Sequence, residues 1–415
     1  VPGPTPRPTG LSRVPGADLV RSLPGAALRR LRPDAFGTVP TGARLERILA
    51  SPNFVDGAFR NPVPTRRMVS DSPLPGMRAL FLADRTRRTP AAAVPLHRPT
   101  AAELAGPPAS GLRTTWMGHA SVLVEIDGRR VLIDPVWGER CSPFSGLGPR
   151  RLHPVPVPLR ELGRLDVVVI SHDHYDHLDM GTVRALAQSD TVFAVPLGVG
   201  AHLEHWGVPA KRIVELDWWE SAEVAGLTLT ATPARHYCSR GPRTSPLLLW
   251  ASWVVAGPEH RVFHSGDTGY FPGFAEIGER LGPFDATMMQ IGAYSEFWPE
   301  VHMTPEEGVR AHQDLRGAVL LPIHWGTFDL APHPWEEPAE RTAAAAREAG
   351  VLLAAPRPGE PVEPADPPAL QLWWRAVAVV PAGAGWPSYE PVEGTVAGAG
   401  RPPEEGTVQP DGVPA

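Results

Sequence analysis

The sequence predicts an α/β fold whose strands deliver their last residues to a functional edge, and three observations predict it. Asp166-Val167-Val168-Val169-Ile170 is a β-branched run, the pattern of a strand buried on both faces, and it stops at Ser171-His172. Leu178, Met180, Val183 and Leu186 then recur at helical spacing, so a helix follows that strand. Strand-like and helix-like segments go on alternating at Thr191–Val195, Val199–Trp206 and Ile213–Leu216. In such folds the chemistry lies beyond the carboxyl ends of the strands.

The turn between that strand and helix, Ser171-His172-Asp173-His174-Tyr175-Asp176-His177-Leu178-Asp179, holds three imidazoles and three carboxylates in nine residues. His172 and His174, two apart on extended chain, point the same way and can share one cation. Asp176 and His177 come after the turn and aim at a second position. Neutral imidazoles and carboxylates are the usual ligands of zinc or a similar divalent ion, and two such ions about 3.5–4 Å apart form a hydrolytic clamp. A solvated loop with accidental histidines would not place them in this spacing directly after a strand.

The His-x-His-x-Asp-His run resembles the signature of the metallo-β-lactamase superfamily. The resemblance implies a four-layer αββα sandwich, a third histidine, a bridging aspartate and a last histidine, each at a strand end. All three are present: His236 follows Leu227–Thr232, Asp267 follows Arg261–Gly266, and His324 follows Ala318–Ile323. Further runs resemble one branch, the N-acyl-phosphatidylethanolamine-hydrolysing phospholipase D family: Thr115-Trp116-Met117-Gly118-His119-Ala120, Glu215-Leu216-Asp217-Trp218-Trp219-Glu220, Gly266-Asp267-Thr268-Gly269-Tyr270 and Ile323-His324-Trp325-Gly326-Thr327-Phe328. Phe54–Pro62 and Ile291–Tyr294 are similar as well, so the resemblance covers about residues 50–355 in the family's order. It implies two divalent metal ions, expected to be zinc. His172, His174 and His236 would hold one, Asp176, His177 and His324 the other, with Asp267 bridging. Asp176 and Asp267 would thereby be catalytic, and Asp134, His302 and His312 match positions that the family associates with the active site. The residues before 45, the loop Ser142–Pro158 and the C-terminal tail do not match.

Taken in order, residues 1–44 are a Pro/Arg-rich arm, 45–380 a single hydrolase domain and 381–415 a Gly/Pro-rich tail expected to be disordered. In the arm, Leu19–Leu23 and Leu28–Arg32 interleave leucine with arginine, which suits either an anionic membrane surface or packing on the domain. Residues 70–112 read as an irregular approach to the core. Ser121–Ile126 and Arg130–Asp134 make a hairpin around Asp127-Gly128. Asp134, at its end, either orients a ligand histidine through the second ring nitrogen or caps the turn before Pro135. Ser142–Pro158 is a long loop placed to wall a cleft. Trp218 and Trp219 read as core packing. Leu247–Ala256 with Arg261–Phe263 predicts a second antiparallel pair, and Asp285–Ile291 another buried strand. Thr304-Pro305-Glu306-Glu307 is a capping box that opens a helix to about Leu315. His302 enters from a loop before that helix, whereas His312 inside it reads on physics alone as an ordinary helix histidine. A helix at Ala339–Ala349 and strands at Val351–Ala355 and Leu370–Arg375 complete the expectation.

A formal charge of −6 leaves no footprint for nucleic acid. Two cysteines, Cys141 and Cys238, make no disulfide framework and suit a reducing compartment. Cys238, two residues after His236, could line the site, although a small buried residue is the simpler reading. With neither a bilayer-length apolar run nor a signal-peptide core, the expectation is a cytoplasmic protein, peripheral membrane contact and homodimerisation being left open. The expected function is a dinuclear metal-dependent hydrolase, a phospholipase D-type phosphodiesterase that cleaves N-acyl-phosphatidylethanolamine-like phospholipids with a metal-bound hydroxide. A lactonase or other small-molecule ester hydrolase on the same fold is the alternative, because fold and metal do not set the substrate. A non-catalytic, metal-stabilised, membrane-associated binding protein is a third reading, and the complete ligand set counts against it.

Overall fold

Strands that are apolar along their whole length must bury two faces, and here each face finds its own core. The structure, a computed structural model, describes residues 34–377 apart from 71, 73, 83, 84, 145, 242 and 243. Helix α1 (Gly42–Leu49) and a small hairpin of β1 (Phe54–Val55) and β2 (Ala58–Phe59) come first. Helix α2 (Leu74–Leu82) and two short helices, Arg85–Arg88 and Ala101–Ala105, lead into the sandwich. The first sheet then runs through β3 (Leu112–Gly118), β4 (Ser121–Ile126), β5 (Arg129–Ile133), β6 (Val167–Val169), β7 (Val192–Pro196) and β8 (Ile213–Leu216), with α3 (Met180–Leu186) and α4 (Gly200–His205) between strands. The second comprises β9 (Ser221–Val224), β10 (Leu227–Thr232), β11 (Ser252–Ala256), β12 (Arg261–His264), β13 (Phe284–Gln290) and β14 (Gly317–Ile323), with α5 (Gly273–Leu281), α6 (Pro305–Asp314) and α7 (Glu337–Ala349).

The sheet orders are β15-β3-β4-β5-β6-β7-β8 and β14-β13-β12-β11-β10-β9, where β15 (Pro361–Val362) returns to pair with β3. In both sheets the central strands pair antiparallel before the later ones turn parallel, from β5 to β8 and from β12 to β14. Alternate residues go to opposite faces. Val122, Val124, Val131, Ile133, Val167 and Val169 enter the core shared with the second sheet, while Leu123, Leu132, Val168 and Ile170 meet Val183, Leu186 and Leu203 of α3 and α4. On the far side Phe274, Ile277, Val309, Ala339 and Ala343 of α5, α6 and α7 close the fourth layer. The molecule is the αββα sandwich that the sequence implied.

Local signals explain the helix starts. Asp179 caps α3 by accepting from the Gly181 and Thr182 amides. Thr304 and Glu307 close both halves of the capping box on α6, with Pro305 at its first position. Four expectations need correction. Residues 70–112 are not irregular but carry α2 and the two short helices. Leu247 closes a single turn, Ser245–Leu247, and the strand starts only at Ser252. Val351–Ala355 forms no strand: the Leu352 carbonyl and the Ala354 amide bond Leu320 at the edge of β14, and the prolines at 356 and 358 end the pairing by removing donors. Leu370–Arg375 is not a strand either. Trp373–Ala376 is a helical turn, and Trp373 stacks on Trp325 at 5.3 Å while Trp374 meets that ring edge-on. The amphipathic stretches of the arm and the tail 381–415 lie outside the described residues.

One contact ties the sheets at the point where the function is expected. The fully buried Trp253 donates its indole N–H to the Ile170 carbonyl at 3.0 Å, across the interface and one residue before Ser171. Replacing Trp253 by Phe leaves that carbonyl unpaired, and a buried unpaired acceptor costs about 1–3 kcal/mol. Urea unfolding of the W253F variant should show a loss of that size.

Candidate metal centre

Five strand ends and one hairpin turn supply the centre. The turn after β3 carries His119, β5 ends before Asp134, and β6 leads into Ser171–Asp179. From the second sheet, β10, β12 and β14 lead to His236, Asp267 and His324. His119, Asp134 and His324 all have positive φ, at 54°, 44° and 66°. That region is strained for residues with a side chain, and such strain gathers where a turn must aim a functional group. The two sheets are stitched here by the His324 amide, which donates to the His119 carbonyl at 2.9 Å.

Two groups of ligand-type side chains result. The ligand atoms of His172, His174, His236 and Asp267 lie within 4.8 Å of one another, and so do those of His119, Asp176, His177 and His324. Asp267 faces both groups. One carboxylate oxygen lies 3.1 Å from His177 Nε2, 3.8 Å from His236 Nε2 and 3.9 Å from His172 Nε2, and the other lies 3.0 Å from His324 Nε2. His302 stands behind, its Nε2 4.0 Å from Asp267. The Nε2 atoms of His172, His177 and His324 and Oδ1 of Asp267 are buried without an aligned hydrogen-bond partner. Buried polar atoms are normally satisfied, and four that converge on shared centres have the chemistry of cation ligands. The residues therefore fit divalent metal ions.

Protonation agrees with that fit at His172, His236 and the two carboxylates. At His177 and His324, by contrast, burial is outweighed by Asp267 and Asp176, which raise His177 well above the usual histidine range and His324 to about 8, so that a bound cation would displace a proton from each. Burial and the imidazoles around them hold His172 and His236 well below the usual histidine range, so both stay neutral. Burial would push Asp267 up, but His177, His324 and His302 more than reverse it and keep it ionised. Burial likewise opposes ionisation of Asp176, and His177 and His119 overcome it. Neutral imidazole and ionised carboxylate are the forms that bind metal. His302 is pushed by burial to about 4 and keeps a neutral ring.

A second layer of contacts aims these groups. Asp134 takes the Ser171 amide at 2.7 Å and the Ser171 hydroxyl at 2.6 Å, and pairs with His177 Nδ1 at 2.8 Å, which leaves His177 Nε2 free to point inward. His236 Nδ1 pairs with the Val301 carbonyl at 2.9 Å. The main chain of His236 is clasped by one side chain: Asn61 donates to its carbonyl and accepts from its amide, both at 2.9 Å. Arg240 braces the turn itself, donating to the Asp173 and Leu178 carbonyls at 2.8 and 2.7 Å.

The sequence and the fold resemble those of known proteins. A beta-lactamase superfamily domain model matches residues 129–325. An uncharacterised protein of Mycobacterium tuberculosis is 51% identical over 332 residues, 78% of this chain and 88% of that one. An N-acyl-phosphatidylethanolamine-hydrolyzing phospholipase D 1 of Caenorhabditis elegans is 39% identical over 249 residues, 57% of this chain and 69% of that protein. The chain belongs to the metallo-β-lactamase superfamily, in its N-acyl-phosphatidylethanolamine-hydrolysing phospholipase D branch. Among solved structures, a possible metal-dependent hydrolase from Veillonella parvula shares the fold at a TM-score of 0.50, with 18% identity, 60% of this chain covered and 98% of that chain. The protein is thus a metal-dependent hydrolase of this superfamily.

Of the site residues named from sequence, the structure brings together His172, His174, Asp176, His177, His236, Asp267, His302 and His324, with Asp134 directly behind them. It does not bring His312 there. That side chain is buried on α6 against the Thr287 hydroxyl at 2.7 Å and beside Gly317, at the opposite end of β14 from His324. It fastens helix to sheet. Sequence reasoning passed over His119 as a site residue, yet its Nε2 pairs with Asp176 at 2.9 Å. The signal was a Gly-His pair interrupting an alternating hairpin. Cys238 does not face the site, since its thiol is buried against the Leu249 carbonyl. The tryptophan pair divides: Trp218 is core, while Trp219 lies half-buried under the Arg280 guanidinium at 3.8 Å.

Because Asn61 alone clasps both main-chain groups of His236, the N61A variant should bind zinc about 10–100-fold more weakly than the parent, the usual effect of removing a group that orients a ligand. Competition with a chromophoric chelator measures it.

Proposed function

We propose that this protein is a dinuclear zinc phosphodiesterase of the phospholipase D type, acting on N-acyl-phosphatidylethanolamine-like phospholipids. The observation that carries the dinuclear reading is Asp267, one of whose carboxylate oxygens lies 3.8 and 3.9 Å from His236 and His172 of the first group and 3.1 Å from His177 of the second, while the other lies 3.0 Å from His324 of the second. His172, His174 and His236 would hold one ion, and Asp176, His177 and His324 the other, with Asp267 between and His119 supporting Asp176. When bound, such a pair supplies a water acidified toward a pKa of about 7 and a Lewis acid for a phosphoryl oxygen.

The chain's own residues do the rest. Asp134 holds a proton of His177 on Nδ1, and the Val301 carbonyl does the same for His236, so Nε2 is the nitrogen that each would offer to a bound ion. Burial of His119, His172, His177, His236 and His324, with His174 half-buried, restricts bulk water and strengthens each electrostatic contact. His302, neutral, 4.0 Å from Asp267 and with a ring nitrogen that lacks a partner among the described residues, is the group we assign to donate a hydrogen bond to the leaving oxygen. In the overall reaction a water oxygen bonds phosphorus and the phosphorus–oxygen bond to the head-group alcohol breaks. The water proton passes to that alcohol, and phosphatidate is the second product.

The phospholipid reading is supported by the printed activity of the Caenorhabditis elegans relative and by the surface beside the centre. Val69, Leu74 and Leu82 are 56%, 68% and 70% exposed, and the Val69 amide bonds the Phe297 carbonyl in the loop that leads to His302. Exposed leucines on an apolar helix suit the surface of a bilayer better than water. Among the described residues no helix is long and apolar enough to cross a membrane, so the contact proposed is peripheral.

Zinc-loaded protein incubated in heavy-oxygen water with N-acyl-phosphatidylethanolamine and an acyl-homoserine lactone should place the label in phosphatidate, read by mass spectrometry. Label only in an opened lactone would make it a lactonase. Asp267→Asn should lower bound zinc below two per chain and abolish hydrolysis, and full activity with two ions bound would overturn the bridging role.

A further inference from the structure

We propose that Arg67 and Tyr237 form a recognition site for the anionic phosphodiester group of the substrate, which lets the centre choose phosphodiesters over neutral esters. The proposal deepens the phosphodiesterase reading and rests on it. Three observations meet at this pair.

The first is position. The Tyr237 ring stacks on His236 at 4.8 Å and meets His174 edge-on at 4.9 Å, so it forms a wall of the first ligand group. The Arg67 guanidinium lies over the same ring, 4.7 Å from its centroid. One aromatic ring connects the cation to two of the candidate ligands.

The second is that both polar groups are uncommitted. Neighbouring Arg66 and Arg235 share Glu300, at 3.8 and 2.9 Å. Arg67 has no carboxylate within ion-pair distance among the described residues, and the Tyr237 hydroxyl has no hydrogen-bond partner among them. A half-buried tyrosine normally finds a partner for its hydroxyl. Here a guanidinium with five donors and a phenolic donor are left at the rim of a centre otherwise built from ligands.

The third is rigidity. Arg67 is exposed, but the chain that carries it is pinned on both sides. Asn61 clasps His236, and Arg235 donates to the Pro64 carbonyl and the Thr65 hydroxyl. Glu300 then accepts from the Arg66 amide at 2.6 Å, and the Val69 amide bonds Phe297. A cation held this way needs little reordering to meet its ligand.

A phosphodiester carries one negative charge at neutral pH and presents two equivalent oxygens, whereas a lactone or simple ester is neutral. A fixed guanidinium attracts only the first, and the phenol can donate to an oxygen of either. Charge therefore discriminates through Arg67, and shape and hydrogen bonding through Tyr237.

The test compares two probes of nearly the same shape, diethyl phosphate and its neutral triester triethyl phosphate, binding to zinc-loaded protein and followed by phosphorus NMR. Arg67→Gln should weaken diethyl phosphate tenfold or more while triethyl phosphate changes less than twofold, and Arg67→Lys should restore most of the difference. Tyr237→Phe should weaken both probes alike. Loss of both probes in R67Q, or of neither, would overturn the proposal, the first outcome reducing Arg67 to a support for the Tyr237 ring. If the wild-type protein shows the charge discrimination but releases no phosphatidate from phospholipid, the site stands and the phospholipase reading falls.

Discussion

Two carboxylates, Asp267 buried and Asp176 half-buried, lie at the edge of the sandwich, and the architecture around them answers that fact. An isolated buried carboxylate is expensive enough that it protonates or leaves the interior. These two are surrounded by His119, His172, His174, His177, His236, His302 and His324, and stay ionised. Imidazoles can serve that purpose only when their other nitrogens are occupied. Ser171 meets His172 Nδ1 at 2.9 Å, Asp134 meets His177 and the Val301 carbonyl meets His236. The tautomers are thereby chosen before any ion arrives, and the convergent unpaired atoms follow from that choice.

The same demand explains the backbone. Groups from two sheets must meet at one edge, so strands end abruptly and the next residue turns sharply. His119, Asp134 and His324 accept positive φ for this purpose. Strain of this kind persists only where neighbours over-determine it. The Thr327 hydroxyl accepts from the His119 amide at 2.7 Å, the His324 amide bonds the His119 carbonyl, and Asp134 makes three contacts of its own. Hairpin and strand ends thus lock one another.

The part of this arrangement that was legible in the sequence is the part in which ligands follow strands directly. His172, His236, Asp267 and His324 each come after a run whose apolar pattern marks a strand, so order along the chain and position in space coincide. His119 sits in a turn inside a hairpin, where the only local sign is the Gly-His break in the alternation, a sign that a capping histidine would give as well. His312 shows the reverse error: its place in the motif order suggested the site, but helical spacing turns it toward Thr287. The strand expected at Val351–Ala355 reads well locally and fails because prolines at 356 and 358 cut its donors. Trp373 and Trp374 are claimed by stacking on Trp325, a tertiary preference that no window of sequence contains.

The superfamily model covers residues 129–325, yet Asn61, Arg67 and His119 all precede it. The sandwich supplies the ligand groups, and the earlier chain adjusts them. Asp217 holds Ser51 and Asn53 at 2.5 and 2.8 Å, so the chain entering this segment is fixed to the first sheet. From there Asn61 steadies His236, Arg67 covers Tyr237, and Val69 reaches the loop that presents His302. A metal-bearing edge alone attacks whatever ester is placed before it. Selectivity has to come from side chains at the rim, and here those side chains hang on a strap that is tied to a candidate ligand, His236. Substitutions in that strap act on metal binding when they touch Asn61 and on substrate charge when they touch Arg67. That separation is possible because the two residues hold different parts of one segment, Asn61 the main chain of His236 and Arg67 the ring of Tyr237.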